Sequence, residues 1–272
     1  MLNLAVFGDP IAHSKSPQIH RRFGDQLGIE VVYSKFQVKR SEFESEAAAF
    51  FANNGHGLSI TVPHKWSAYQ VANLLSEEAN IAGACNTLMM TEEGLYGHNT
   101  DGLGLVDDLD RLGWAITDRR ILILGAGGAV AGCLGPLAAK SPLEIVIANR
   151  STENLDRLVG RFGQRVRGIS LKELHLQSPP FDLIINGISA GLSGSTGVHL
   201  TNRIITKESA CYDLIYNVSD TPFLKMCNSL TEFRADGLGM LLAQAARQFE
   251  LWTGVLPNPF EQLVEFGRIS DS

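Results

Sequence analysis

A strand, a glycine loop and a helix in direct succession constrain this chain most. Ile121-Leu122-Ile123-Leu124 is a short, uninterrupted aliphatic run, which suits a strand buried on both faces of a sheet. Gly125-Ala126-Gly127-Gly128-Ala129 follows at once, and Ala129 to Ala139 reads as a helix. Glu144 to Ala148 is the next strand, Asn154 to Phe162 a helix, and Asp182 to Ile185 and Cys211 to Tyr216 further strands. Pro222 to Cys227 begins a helix with Thr221 or Asp220 as its cap. The alternation predicts a parallel sheet with helices on both faces, a Rossmann-type domain.

The first hundred residues repeat the alternation less regularly. Leu4 to Phe7 reads as a buried strand entering the loop Gly8-Asp9-Pro10. A helix follows from Pro17 with Ser16 as its N-cap, then a strand over Val31 to Val38. Ser41 to Phe51 reads as a helix with Ser41 and Glu44 at capping-box spacing. Gly57 to Val62 is a strand closed by Pro63, and Lys65 to Leu75 is helical. Ala84 to Met90 and Gly94 to His98 read as strands around a turn, and Gly102 to Leu112 as a helix leaving the lobe. The last long helix spans Leu238 to Trp252. The expected architecture is α/β in two lobes, a substrate-binding domain over 1–101 and 237–272 and a dinucleotide-binding domain over 102–236, with a cleft between them.

The 272 residues are enough for two such domains, and a net charge of −6 argues against nucleic acid as the main partner. Cys85, Cys133, Cys211 and Cys227 form no C-x-x-C pair and lie in apolar surroundings. They read as free thiols of a reducing compartment, and no Cys/His spacing suggests a metal site. Met1 to Gly8 has no basic stretch before a long apolar run, and no segment suits a bilayer span. A cytoplasmic protein is expected, monomeric or homodimeric, with no membrane partner.

Two groups of residues could carry chemistry. The first is the glycine loop. Gly125 would allow the tight turn, Gly127 the approach of a pyrophosphate, and the helix start would offer free N–H groups. The same loop would serve equally as a plain strand-to-helix turn, so its surroundings matter. The next strand ends in Asn149-Arg150-Ser151, where an acidic residue would select NAD. An arginine there suits a 2′-phosphate, so NADP is expected over NAD. The second group is polar: Ser14-Lys15-Ser16, Thr61-Val62-Pro63-His64-Lys65, Asn86-Thr87 and Asn99-Thr100-Asp101, each where a strand or loop ends. A Lys–Asp pair in a partly closed site can exchange a proton with a hydroxyl or carbonyl. Taken singly, Lys65 reads as a surface lysine and Asp101 as a helix cap.

Together these segments resemble the shikimate dehydrogenase family. Gly8-Asp9-Pro10-Ile11-Ala12-His13-Ser14-Lys15-Ser16-Pro17, Thr61 to Lys65, Cys85-Asn86-Thr87, Asn99 to Gly102, Gly125 to Ala129, Asn149-Arg150 and Ala235 to Ala246 stand in that family's order and spacing. The resemblance implies reversible NADPH-dependent reduction of 3-dehydroshikimate to shikimate, in aromatic amino-acid biosynthesis. It implies that Ser14 and Ser16 bind the substrate carboxylate, that Thr61, Asn86, Asp101 and Gln244 bind its hydroxyls, and that Lys65 and Asp101 are the catalytic pair. It adds Tyr216 on the substrate side and Gly125, Ala126, Gly127, Gly128, Ala129, Asn149, Arg150, Ser151, Ile188 and Gly237 on the cofactor side.

Four departures stand out. Ser59 occupies a position where the family often has Asn. Val130 and Ala131 are apolar where a basic residue is frequent. Asn154 replaces a second arginine, for which Arg157 could compensate. Asn186-Gly187-Ile188-Ser189-Ala190-Gly191 replaces an Asn-Ala-Thr-Ser run. A quinate-oxidising paralogue and a non-catalytic dinucleotide sensor are the competing readings.

Overall fold

The computed structural model describes residues 1–151, 153–160, 162, 164, 166–188, 200–216 and 220–266. The chain divides into two compact units, Met1–Leu105 with Leu241–Phe266, and Val106–Met240.

The first unit carries β1 (Leu2–Gly8), α1 (Ser16–Leu27), β2 (Val31–Gln37), α2 (Phe43–Ala52), β3 (Gly57–Ile60), α3 (Lys65–Val71), β4 (Leu74–Leu75), α4 (Glu77–Ala82), β5 (Thr87–Thr91), β6 (Gly94–His98) and the start of α5 (Asp101–Arg111). Its sheet has the order β2-β1-β3-β5-β6-β4. β1 pairs in parallel with β2 and β3, β3-β5-β6 are antiparallel, and β4 is parallel to β6. The period of two along β1 explains the layers. Leu4 and Val6 pack with Ile19 and Phe23 of α1 and with Leu242, Ala245 and Phe249. Ala5 and Phe7 point to the other face, against Phe43, Ala47, Leu58 and Ala68.

The second unit carries the rest of α5, β7 (Arg120–Leu124), α6 (Gly128–Ala139), β8 (Glu144–Asn149), α7 (Glu153–Val159), β9 (Val166–Ser170), β10 (Leu183–Asn186), β11 (Ala210–Asp213), α8 (Pro222–Cys227), β12 (Arg234–Asp236) and the start of α9 (Leu238–Thr253). Its order, β12-β11-β10-β7-β8-β9, is parallel throughout. Read from β9 this is the doubly wound order 3-2-1-4-5-6, with the topological switch between β7 and β10. Leu122 and Leu124 face a core that includes Phe181, Ile184 and Phe223.

Several local expectations are corrected. Ser16 is the first residue of α1, not its cap: Lys15 holds that position, and its side chain makes no capping bond. Ser41 lies in a 3₁₀ turn, Arg40–Glu42, so the expected capping box with Glu44 does not form and α2 begins at Phe43. The helix expected over 65–75 stops at Val71, because Ala72 turns extended (ψ 133°) and Leu74–Leu75 pair with β6. Thr221, rather than Asp220, caps α8, accepting from Leu224 N at 3.2 Å. Asp101 opens α5, and Asn99 Oδ1 accepts its N–H at 3.1 Å. No helix among the described residues is long and apolar enough to cross a membrane.

Candidate active site

The polar residues of the first unit meet around Asn86, in the turn before β5. Its carbonyl accepts from Ile60 N at 2.7 Å and its amide N–H donates to His98 O at 3.0 Å, so the backbone is held from two strands. Its side-chain oxygen accepts from Thr100 N at 3.0 Å. That fixes the amide orientation and turns Nδ2 toward Thr100 Oγ1 (2.9 Å), Asp101 Oδ1 (2.8 Å) and Gln244 Oε1 (3.3 Å). Asp101 is buried, and its second oxygen is bonded to Lys65 Nζ. Both carboxylate oxygens therefore have donors, which makes a buried charge tenable. Lys65 keeps about a fifth of its side chain exposed, so it is not sealed within the protein as Asp101 is.

Chain geometry places Lys65. Thr61 N donates to Phe7 O at 3.0 Å, tying the end of β3 to β1, and His64 N donates to Thr61 O at 2.9 Å, closing the turn. A Cβ at Gly8 would stand 2.5 Å from Thr61 Cγ2, so glycine is what allows this approach. Lys65 is then the first residue of α3, and its carbonyl accepts from Cys85 N at 2.9 Å, next to Asn86. His64 beneath it is buried, with Nε2 2.7 Å from Val38 O, and burial lowers its pKa. Ser14 and Ser16 meet at the start of α1. Their hydroxyls are 3.2 Å apart, and Ser16 N donates to Ser14 Oγ at 3.3 Å. Ser59 does not face this group: its hydroxyl is buried between Tyr33 (2.6 Å) and Gln248 (2.7 Å). Sequence reasoning missed Gln248. Its only signal was its place one helical turn after Gln244.

In the second unit the loop after β7 makes a different site. Gly125 has φ +97°, which requires glycine, and its N–H donates to Ala148 O at 2.8 Å. Gly127 (φ −83°) and Gly128 need no such freedom, and a Cβ at either would meet nothing within 4 Å. Packing within the fold therefore gives no reason for glycine at these two exposed positions. They bare the start of α6, which has no side-chain cap. A bare helix start with free N–H groups at the switch point suits a dinucleotide diphosphate. Ala129 is exposed beside them, Ala126 and Ile188 are half-buried, and Ile188 N donates to Asn186 Oδ1 at 3.2 Å. Asn149 Nδ2 donates to Ser151 O at 3.0 Å, and Arg150 is exposed at this strand end. Buried Gly237 lies so near Leu214 that a Cβ would stand 2.4 Å from its carbonyl. Tyr216 is half-buried beyond β11, and burial raises its phenol pKa.

Two of the four departures touch: a Cβ at Gly187 would stand 2.4 Å from Val130 Cγ2, so with Val130 packed here position 187 has no room for a side chain. The side chains of Asn154 and Arg157, and Ser189 to Gly191, lie outside the described residues.

Comparison with known proteins finds matches in both units. Residues 6–88 match the family model of the shikimate dehydrogenase substrate binding domain, 109–209 that of shikimate / quinate 5-dehydrogenase, and 237–262 that of the shikimate 5'-dehydrogenase C-terminal domain. A Pasteurella multocida protein named shikimate dehydrogenase (NADP(+)) is 45% identical over 266 residues, covering 96% of this chain and 97% of its own. Among solved structures, an Ael1 enzyme from Pseudomonas putida is 34% identical with a TM-score of 0.89, covering 100% of both chains. The Thermus thermophilus shikimate 5-dehydrogenase, solved with NADP(H) and shikimate, is 31% identical with a TM-score of 0.83, covering 95% of this chain and 96% of that one. Matches in both units, joined by a 45% identical relative that spans them, place this chain in the shikimate dehydrogenase family.

Proposed function

We propose that this protein is an NADP-dependent oxidoreductase that interconverts 3-dehydroshikimate and shikimate, the step expected of it in aromatic amino-acid biosynthesis. The observation that carries the reading is the buried Asp101 carboxylate held at once by Lys65 and Asn86. The unit of Lys65 and Asp101 binds the substrate, and the unit of the Gly125 loop binds the cofactor. The four free, buried cysteines suit a reducing compartment, the cytoplasm.

When bound, NADPH supplies a hydride to the ring carbonyl carbon. Lys65 donates the accompanying proton to the carbonyl oxygen, and in the oxidative direction it takes that proton back from the hydroxyl. Asp101 orients the ammonium through the bond its carboxylate accepts from Lys65. Asn86, Thr61 and Gln244 bind the ring hydroxyls, and the Ser14 and Ser16 hydroxyls donate to the carboxylate. On the cofactor side Gly127, Gly128 and the start of α6 receive the diphosphate, with Asn149, Arg150 and Ser151 at the adenosine end. The guanidinium of Arg150 favours NADP over NAD by pairing with a 2′-phosphate.

Initial rates of oxidation of shikimate and quinate, each with NADP and with NAD, test the reading. Shikimate with NADP should exceed the other three pairs in kcat/KM by at least tenfold. Comparable quinate rates would instead support the paralogue, and no activity with any pair would leave a binding protein.

A further inference from the structure

In the second unit the last paired residues of three neighbouring strands form one row. Asn186 of β10 is in register with Leu124 of β7 on one side and with Asp213 of β11 on the other. Asn186 Nδ2 donates to Asp213 Oδ1 at 2.8 Å, and the same oxygen accepts from Ile215 N at 3.1 Å. The other carboxylate oxygen accepts from Thr221 Oγ1, whose hydroxyl in turn accepts from Leu224 N at 3.2 Å as the cap of α8. Asn186, Asp213 and Thr221 are each at most 2% exposed, so water does not compete for these bonds.

The carboxylate settles how the amide lies. An ionised carboxylate only accepts, so Asn186 turns its NH₂ to Asp213 and its oxygen the other way. That oxygen accepts from Ile188 N at 3.2 Å. Gly187 N donates to Leu124 O at 2.8 Å, so both N–H groups after β10 are tied down. Ile188 then stands beside the dinucleotide loop: a Cβ at Gly125 would lie 3.2 Å from Ile188 Cγ1. The strand order β11-β10-β7-β8 gives this a direction. With the adenosine end at Arg150 after β8 and the diphosphate at the loop after β7, the rest of the cofactor has to run on past the end of β10. We infer that Asp213 is a positioning residue for the nicotinamide half of NADP, acting through the Asn186 amide on the backbone at Ile188.

The role rests on the cofactor assignment proposed above. Asp213 itself is sealed within the fold, so its effect passes through Asn186 and not through contact with a ligand. An apolar residue in its place strands three donors, those of Asn186, Ile215 and Thr221. An asparagine does less. Its oxygen still accepts from Asn186 and Ile215, while its NH₂ faces the Thr221 hydroxyl, which can turn to accept.

The test is calorimetric binding of NADP, and of adenosine 2′,5′-bisphosphate as its adenosine half, to the full-length protein. The variants are Asp213→Leu, Asp213→Asn, Asn186→Leu and Ser209→Ala, beside wild type. Asp213→Leu and Asn186→Leu should weaken NADP binding about 5- to 20-fold and leave the bisphosphate within about twofold. Asp213→Asn should recover NADP binding to within about threefold of wild type. Ser209→Ala is the control. It breaks a buried bond to Phe181 O (2.7 Å) just before the opposite end of β11, and should lower the melting temperature without moving either affinity. Asn186→Leu leaves Asp213 its bonds from Ile215 and Thr221, so it serves if Asp213→Leu fails to fold. Unchanged NADP binding, an equal loss of both ligands, no recovery in Asp213→Asn, or an equal loss in Ser209→Ala would overturn the inference while leaving the function standing. A wild-type protein that does not bind NADP overturns both.

Discussion

At the scale of the residue, the arrangement separates groups that move a proton from groups that hold a ligand. Lys65 joins a buried carboxylate partner to a side chain that is partly exposed. Lys65→Ala should therefore lower kcat by about 10²- to 10⁴-fold, the usual worth of a positioned acid or base. KM for shikimate should change little, and a raised KM with unchanged kcat would remove the proton-transfer role. Asp101→Asn keeps the hydrogen bond from Asn86 but loses the charge opposite Lys65. It should also act mainly on kcat, and a raised KM for shikimate with unchanged kcat would remove Asp101 from the proton-transfer step. Arg150 belongs to neither set. Exposed at the end of β8, it should matter only to a cofactor bearing a 2′-phosphate. Arg150→Ala should raise KM for NADPH at least tenfold and leave KM for NADH within about twofold. Equal rises would show that the guanidinium recognises something common to both cofactors.

At the scale of the element, two glycines two residues apart have different reasons to be glycine. Gly125 is set by the backbone, with φ +97° and Gly187 and Ile188 3.2 Å from a built Cβ. Gly125→Ala should destabilise the second unit by about 1–2 kcal/mol, through the left-handed conformation alone. Gly127 has ordinary dihedrals and open space around it. Gly127→Ala should leave the melting temperature within a degree or so while raising KM for NADP severalfold. A lowered melting temperature with unaltered KM would mean that the loop is only a turn. Strong local signals were legible in the sequence: the aliphatic runs of β7 and β8, the glycine loop, and the hairpin of β5 and β6. The elements that escaped depend on distant partners. Leu74–Leu75 is a strand only because Tyr96 and Gly97 lie beside it, and β12, Arg-Ala-Asp, has no strand pattern and forms by pairing with β11. Val166–Ser170 escaped for the same reason, as an edge strand of mixed polarity beside β8. In the site, Lys65, Asn86, Asp101 and Gln244 stood out as motif residues. Gln248 did not, and Ser59 stood out only as a departure, since their bond joins residues 189 apart in sequence.

At the scale of the whole molecule, buried titratable groups are divided between the units in a way that sets how the protein fails in acid. The first unit contains three histidines whose pKa values are lowered chiefly by burial: His20, His64 and His98, the last with Glu78 opposing the shift. His20 is the extreme case. It is fully buried between the rings of Tyr33, Phe23, Phe249 and Trp252, and its pKa falls to about 3. A folded pKa below the unfolded value of 6.5 means that the unfolded chain binds the proton more readily. The stability is then complete above pH 6.5 and lost progressively as pH falls toward 3. At pH 5 the loss from His20 alone is about 2 kcal/mol. In the second unit the buried group near the cofactor loop has the opposite sign. Burial raises the carboxyl pKa of Asp213, against the donors Thr221 and Asn186, so protonation favours its folded form as pH falls. The first unit should therefore loosen first in mild acid. Hydrogen exchange at pH 5 against pH 7.5, each corrected for its intrinsic rate, should show protection falling in β1, β2 and β3 before it falls in β7 and β10. His20→Phe keeps an aromatic ring at the stack and removes the proton site. It should flatten the dependence of melting temperature on pH between 7 and 5, whatever it does to the melting temperature at pH 7. A variant that kept the full wild-type slope would place the acid sensitivity in other groups and remove His20 from the account.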